Sequence, residues 1–227
     1  MRELPFLINF ELKRLIKSRA ISVILILIML VLPIIMNNLD TQETLIEKWY
    51  GTLQLQMVFL LILIPSMVSY VWKGYLQSFE RAVILLKLTN RSMYIVGKIV
   101  AVILFVSVYL FFFYVVFFIF YVNKVPISIL LITLFQVFLS IFYSITFSFF
   151  ISFYLKRTVY LHILLIIYLV FSIYLNSPYF SIWFNPDFIQ HQMTDLLFNV
   201  KRGIFLSIGI LFMFGNVLLF KRRVNDK

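Results

Sequence analysis

The chain has 227 residues; 63% are hydrophobic, only 13% are charged, the formal net charge is +11 and there is no cysteine. A soluble domain is about half apolar and a quarter charged. The excess falls in runs long enough to cross a bilayer, about 20 residues of helix, so a soluble domain is excluded, and the lack of cysteine excludes disulfides and thiolate chemistry.

Six runs qualify, at 20–36, 52–72, 99–122, 127–155, 160–175 and 203–220, and the expected fold class is an all-α integral membrane protein with one transmembrane domain over 1–227. With the N-terminus taken as cytoplasmic, sixteen of the 20 Lys and Arg fall on the inner side; Lys48, Lys124, Lys201 and Arg202 fall on the outer. This agrees with the positive-inside rule and places both termini in the cytoplasm. The basic charge then implies attraction to anionic lipid headgroups and no nucleic-acid partner.

Residues 4–19 form a candidate interfacial helix. Leu4, Ile8, Leu12, Leu15 and Ile16 share one face and Asn9, Lys13, Arg14 and Lys17 another, although Phe6 and Phe10 interrupt the polar side. A plain basic flank that fixes orientation is the alternative. Run one ends Pro33-Ile34-Ile35-Met36-Asn37-Asn38 without a small-residue cleavage site, so it reads as a retained span rather than a signal peptide. Pro33 near its outer end and Pro65 inside run two each remove a backbone donor and can kink the helix; a static packing kink is the plain reading of Pro65.

The interval 73–98 is charged and amphipathic. Phe79, Val83, Leu86 and Met93 sit near helical spacing with Leu85, and Glu80, Arg81, Lys87 and Arg91 supply charge. A short helix parallel to the membrane would present this mixture to a partner groove; a helix resting on headgroups is the alternative. Run three carries Phe111, Phe112, Phe113, Tyr114, Phe117, Phe118, Phe120 and Tyr121, read as lipid-facing bulk with an interfacial belt. In run four Gln136, Ser140, Ser144, Ser148 and Ser152 repeat every four residues. Small residues at this spacing form a ridge that lets backbones approach closely in lipid; a polar pathway lining is the other use of such a row.

The interval 176–202 contains Asn185-Pro186-Asp187, a cap, a first-turn proline and an acid at the positive dipole end. Ile189, Met193, Leu196 and Leu197 follow as an apolar face, so a short amphipathic helix is expected on, or dipping into, the outer leaflet. Gly203 and Ser207 open run six as a second small pair.

Several chemistries are missing. All nine acids, and every Lys and Arg, fall outside the runs, whereas ion-coupled carriers place ionisable groups in the bilayer. His162 is the one imidazole in a run and sits just past Lys156-Arg157, where a satisfied interfacial histidine is a better reading than a proton relay. There is no G-x-x-x-x-G-K-[ST] loop, no G-x-S-x-G elbow and no H-E-x-x-H pair. His191 and Asp195, four apart, lack a third metal ligand nearby. The expectation is a membrane bundle with no catalytic site, cofactor or metal of its own, and one substantial cytosolic handle.

These features together resemble a permease subunit of the ABC-2 type, over essentially the whole chain. Glu80 is similar to the acid of that family's coupling segment, Leu85-Leu86 to its apolar pair, Asn90-Arg91-Ser92 to its turn and Gly97-Lys98 to the pair that opens the third span. Arg81 and Ala82 stand where Gly-Thr is usual, and Thr89 where Pro is frequent. The resemblance implies an N-terminal elbow helix, a cytoplasmic coupling helix between spans two and three, and a short re-entrant helix between spans five and six. It also implies a half-transporter that pairs with a second copy or a paralogue and docks on a separate cytosolic ATPase, which holds the ATP and Mg. Phe79, Glu80, Arg81, Leu85, Leu86, Asn90 and Arg91 would couple to that ATPase. Pro65, Ser66 and Ser69 would lie where the family lines or gates its path. Small size and apolar path-forming helices resemble the bacteriocin-immunity and phenol-soluble-modulin exporters of Gram-positive bacteria, which implies a bacterial plasma membrane and an amphipathic or hydrophobic substrate; lipid or drug export stays open. The rivals are a substrate-binding membrane subunit of a vitamin-type importer and a non-transport membrane scaffold or enzyme.

Overall fold

A computed structural model describes residues 3–38, 44–76, 92–121, 126–155, 157–175, 177, 179–183 and 196–225. The elements are α1 (Glu3–Lys17), α2 (Arg19–Ile26), a π-helical segment (Leu27–Val31), α3 (Leu32–Asn38), α4 (Leu45–Leu76), α5 (Ser92–Tyr121), α6 (Ile127–Ser152), α7 (Thr158–Leu175) and α8 (Leu196–Asn225). Among the described residues there is no strand. Six stretches of the described residues are long and apolar enough to cross a membrane: Arg19–Met36, Leu45–Trp72, Ser92–Val115, Ile127–Ser152, Thr158–Leu175 and Val200–Arg222.

α4, α5 and α8 are longer than their apolar runs because charge near a helix end does not stop it, whereas α6 ends at Ser152, short of the run expected to reach 155. The first turn of α4 is set by a capping box: the Thr44 N–H donates to Glu47 Oε2 at 2.7 Å, and the Glu47 N–H donates to Thr44 Oγ1 at 3.3 Å. At its other end α4 continues to Leu76, and α5 begins at Ser92. Of the interval 73–98, residues 73–76 and 92–98 are therefore helical, and 77–91 lie outside the described residues. Lys98 lies inside α5 and Arg202 inside α8, both within the candidate spans. The expectation that no Lys or Arg lies within a span is corrected here: counting apolar residues stops at the first cation, whereas the helix continues as long as that cation has a buried partner.

Span one is not a continuous α-helix. Its π segment precedes Pro33 by two residues, and the Leu32 N–H bonds back to the Leu27 carbonyl, five residues earlier. A proline was expected to kink this helix; the observed response is a change of register.

Two helices form the middle of the bundle. In α4 and α6, 61% of the spanning window is buried, against 22% in α7 and α8. α6 is packed by α4, α5, α7 and α8, and α4 by α1, span one, α5, α6 and α7. Trp49 at one end of α4 stacks on Phe113 of α5 at 5.7 Å; Trp72 at the other end meets Phe153, just past α6, edge-on at 4.8 Å. α7 buries one narrow stripe, Leu161, Leu165, Leu169 and Ser172, and exposes apolar side chains elsewhere, Tyr174 most of all. In a hydrocarbon solvent that exposure costs nothing, and close packing replaces hydrophobic burial as the force that joins helices.

α8 joins α6 by that means. A Cβ on Gly209 would stand 2.9 Å from Phe142 Cε1 and 3.6 Å from the Tyr143 Cα, and a Cβ on Gly215 would stand 3.0 Å from Phe150. Nothing lies within 4 Å of a Cβ on Gly203, the small residue expected to open a packing face. Gly209→Leu should therefore push α8 off α6 and destabilise the purified protein by about 1–3 kcal/mol, with partial recovery on adding Phe142→Ala. Gly203→Leu should leave its thermal unfolding in detergent unchanged.

Candidate functional site

The strongest polar constellation lies where α1, the end of α4 and the start of α5 converge. α1 turns Leu7, Glu11 and Leu15 inward, at i, i+4 and i+8. The helices approach closely because position 97 is glycine; a Cβ there would lie 2.9 Å from the Leu7 Cβ. One residue on, Lys98 Nζ donates to Glu11 Oε1 at 2.5 Å and to the Val71 carbonyl at 2.8 Å, and lies 4.7 Å from the centre of the Tyr94 ring. The Glu11 and Lys98 side chains are 2% and 0% exposed. Arg14, one turn along α1, stands 3.8 Å from Glu11 Oε2 and donates to the Tyr70 carbonyl at 3.3 Å, with its guanidinium 5.2 Å from the centre of the Tyr70 ring. The Tyr70 hydroxyl returns a bond to the Arg14 carbonyl at 3.4 Å.

The expected apolar face is turned inward at Leu15, which is buried, and at Leu4, Ile8 and Leu12, which are half-buried, but Ile16, placed on the same face, is 61% exposed. Phe6, placed on the polar side, is 66% exposed. α1 thus shows one face to protein and a partly apolar face outward. The hydrophobic pattern alone could not separate the two. The usable signal was a lone acid, Glu11, inside an otherwise apolar stripe.

The knot holds both helix ends that border residues 77–91. Phe79, Glu80, Arg81, Leu85, Leu86, Asn90 and Arg91, singled out from the sequence for coupling, lie outside the described residues.

Pro65, Ser66 and Ser69 are described, and the two serines bond to α7. Pro65 is buried and leaves the Leu61 carbonyl without its helical donor, yet α4 runs through it without a break. Ser66 Oγ lies 3.0 Å from His162 Nε2, and Ser69 Oγ lies 2.5 Å from Thr158 Oγ1. His162 Nδ1 lies 2.9 Å from the Thr158 carbonyl. That carbonyl can only accept, so Nδ1 carries the proton, and in the neutral ring Nε2 accepts from the Ser66 hydroxyl. His162 is thus satisfied, as expected, but by a helix 96 residues away in sequence. The polar pairs Ser66/Ser69 and Thr158/His162, each one helical turn apart, were the signal for this link.

Of the row in α6, Gln136, Ser140, Ser144 and Ser148 are buried and Ser152 is half-buried. Ser144 Oγ donates to the Ser140 carbonyl at 2.7 Å and Ser152 Oγ to the Phe149 carbonyl at 2.6 Å, so these hydroxyls bond within their own helix. Ser140 Oγ additionally accepts from Arg202 Nη2 at 3.5 Å.

Arg202 is the second site the sequence did not reveal. It is 1% exposed, donates through Nη1 to the Ser181 carbonyl at 3.1 Å and lies 4.7 Å from the centre of the Phe205 ring. Residues 179–183 are thereby pinned to the bundle: the Tyr168 hydroxyl donates to the Phe180 carbonyl at 2.6 Å and the Ile182 N–H donates to Ser172 Oγ at 3.3 Å. Non-helical backbone at this depth is tolerated because such partners satisfy it. Of the outer amphipathic helix expected to start at Asn185-Pro186-Asp187, those residues, Ile189 and Met193 lie outside the described residues, and with them His191; Leu196 and Leu197, expected on its apolar face, belong to α8. Among the described residues no three His, Asp or Glu gather as a metal site.

A buried ion pair is worth most when one partner is removed, because the other is left as an unpaired buried charge; the cost is about 3–5 kcal/mol. Lys98→Met should lower stability by that order in a denaturation assay on purified protein. Combined with Glu11→Leu, the loss should be much smaller than the sum of the single effects.

No protein-family model, curated protein or solved structure matches this chain.

Proposed function

We propose that the chain is the transmembrane permease subunit of an ATP-binding-cassette exporter of the ABC-2 type, driven by a separate cytosolic ATPase that holds ATP and Mg. In this reading the end of the bundle where α1, α4 and α5 meet is cytoplasmic, both termini are cytoplasmic, and α1 is the elbow helix. A second copy or a paralogue completes the pathway. The cargo is an amphipathic or hydrophobic molecule, most simply a peptide, moved out across a bacterial plasma membrane. The chain itself is not an enzyme and needs no cofactor.

The observation that supports this reading best is the Glu11–Lys98–Val71 knot. It clamps the two helix ends that border the interval 77–91 onto a third helix, with both charges withdrawn from solvent. A displacement of that interval would be passed to α4, α5 and α1 together rather than absorbed by one loose helix end. Gly97-Lys98, the pair similar to the one that opens the third span in the family, has a physical task here: the glycine admits Leu7 and the lysine reaches Glu11. The Ser66–His162 and Ser69–Thr158 links then carry movement of α4 into α7. The two central helices carry no acid or base in mid-span, which leaves the bundle dependent on an external source of work.

Co-expression with candidate cytosolic ATPases tests this. The chain should purify with one of them, and Glu80→Ala together with Arg81→Ala should weaken that complex or uncouple its ATP hydrolysis from export, while the chain stays folded. Purification of the chain alone, with no ATPase affecting its activity, would overturn the reading.

A further inference from the structure

We propose that span one contains a two-state register hinge at Leu27–Val31, held in its π form by the side chain of Gln56. Pro33 imposes a cost on either register. In an α register the Met29 carbonyl would accept from residue 33, which has no N–H. In the π register seen here the Leu32 N–H is committed to the Leu27 carbonyl, and the next bond, from residue 33 to the Ile28 carbonyl, cannot form. Pro33 therefore leaves one orphan carbonyl in either register: Met29 in one, Ile28 in the other.

Gln56 of α4 decides between them. Its Nε2 donates to the Ile28 carbonyl at 3.2 Å, within a buried contact. π segments are rare because they give up close helical packing; this one is maintained by a bond from the neighbouring helix. Gln56 is 1% exposed, and its Oε1 has no hydrogen-bond partner. The amide is thus only half satisfied where it sits, which keeps the π form from being deeply favoured. Two forms with one compensated orphan between them, and an incompletely bonded switch residue, make a bistable element rather than a fixed kink.

The consequence of switching follows from helix geometry. Straightening the segment advances every residue beyond it by one position, a turn of about 100° and a rise of about 1.5 Å. Leu32 would take the buried place of Pro33, and Ile35, now 53% exposed, would take the half-buried place of Met36. The moving part is short, Leu32–Asn38. An apolar groove of about 350 Å³ lies over the hinge, lined by Leu27, Ile28, Val31, Leu32 and Phe59 among others, so the rotation would also reshape a surface open to lipid.

The absence of cysteine makes the test direct. Nitroxide labels on Ile35→Cys and Val200→Cys, both exposed in the π form, report the rotation as an inter-label distance in nanodiscs. The otherwise unaltered chain should give one main distance. Gln56→Leu should add a second population, because the Ile28 carbonyl loses its donor. Gln56→Leu with Pro33→Ala, which gives the α register a complete set of bonds, should move the whole distribution to that second distance. The same single distance in all three proteins would overturn the proposal. Should Gln56→Leu fail to fold, Pro33→Ala alone is read: it gives the Met29 carbonyl its donor in the α register, whereas the Ile28 carbonyl of the π register already has Gln56, so a new distance supports the hinge and an unchanged one refutes it.

Discussion

The buried contact between Glu11 and Lys98 is the constraint around which the fold is arranged. Apolar side chains gain little by leaving lipid for the protein interior, so burial of Leu and Phe does not by itself choose which helices touch. A desolvated charge does choose. Lys98 has Glu11, the Val71 carbonyl and the Tyr94 ring as surroundings. To move α1 away would strand an ammonium and a carboxylate in a medium that cannot solvate them. One pair thus fixes α1, α4 and α5 to one another, and the absence of a side chain at Gly97 allows the approach that makes the pair possible.

The other interhelix links obey the same physics, with neutral groups at every link but that of the Arg202 guanidinium. Gln56 ties span one to α4, Ser66 and Ser69 tie α4 to α7, Asn216 ties α8 to α6 through the Thr146 carbonyl at 3.0 Å, and Arg202 ties α8 to α6 and to residues 179–183. α4 takes part in the ion-pair knot, the span-one link and the α7 link, and it contains a buried proline between them. A helix so connected moves little without moving its neighbours. Under the proposed function this is what a permease requires: work done at one end must reach helices on the far side of the bundle, and a polar link in hydrocarbon transmits a displacement that an apolar contact would let slip.

The helices themselves were readable as apolar runs, and so was the satisfied state of His162. What could not be read was which residues of α1 face inward. Periodicity distinguishes apolar from polar surroundings, and here both protein and lipid are apolar, so Ile16 gave no indication of facing outward and Glu11 none of facing inward. Lys98 and Arg202 were assigned to flanks because composition marks where a run of apolar residues ends, not where a helix does; their partners, Glu11 and the Ser181 carbonyl, are distant in sequence and invisible to any local rule. Pro33 signalled a disturbance in span one, but whether it gives a kink or a register change depends on Gln56, 28 residues beyond the carbonyl that it bonds. The serine row of α6 was visible as a pattern, and its burial follows from the central place of that helix. The small residues that admit α8 are Gly209 and Gly215, spaced too irregularly to stand out.

The proposed function requires that closure of an ATPase be transmitted through α1, α4 and α5, and this is tested most directly by following a distance across that end of the bundle while the motor is trapped. Nitroxide labels on Ile16→Cys of α1 and Val159→Cys of α7, both exposed, should change separation when the chain, reconstituted with the ATPase that this proposal assigns to it, is held with ADP and vanadate. In a chain carrying Glu11→Leu and Lys98→Met the ATPase should still bind and turn over, but the distance change should be lost. An identical change with and without the ion pair would contradict the knot as the element that carries the motion.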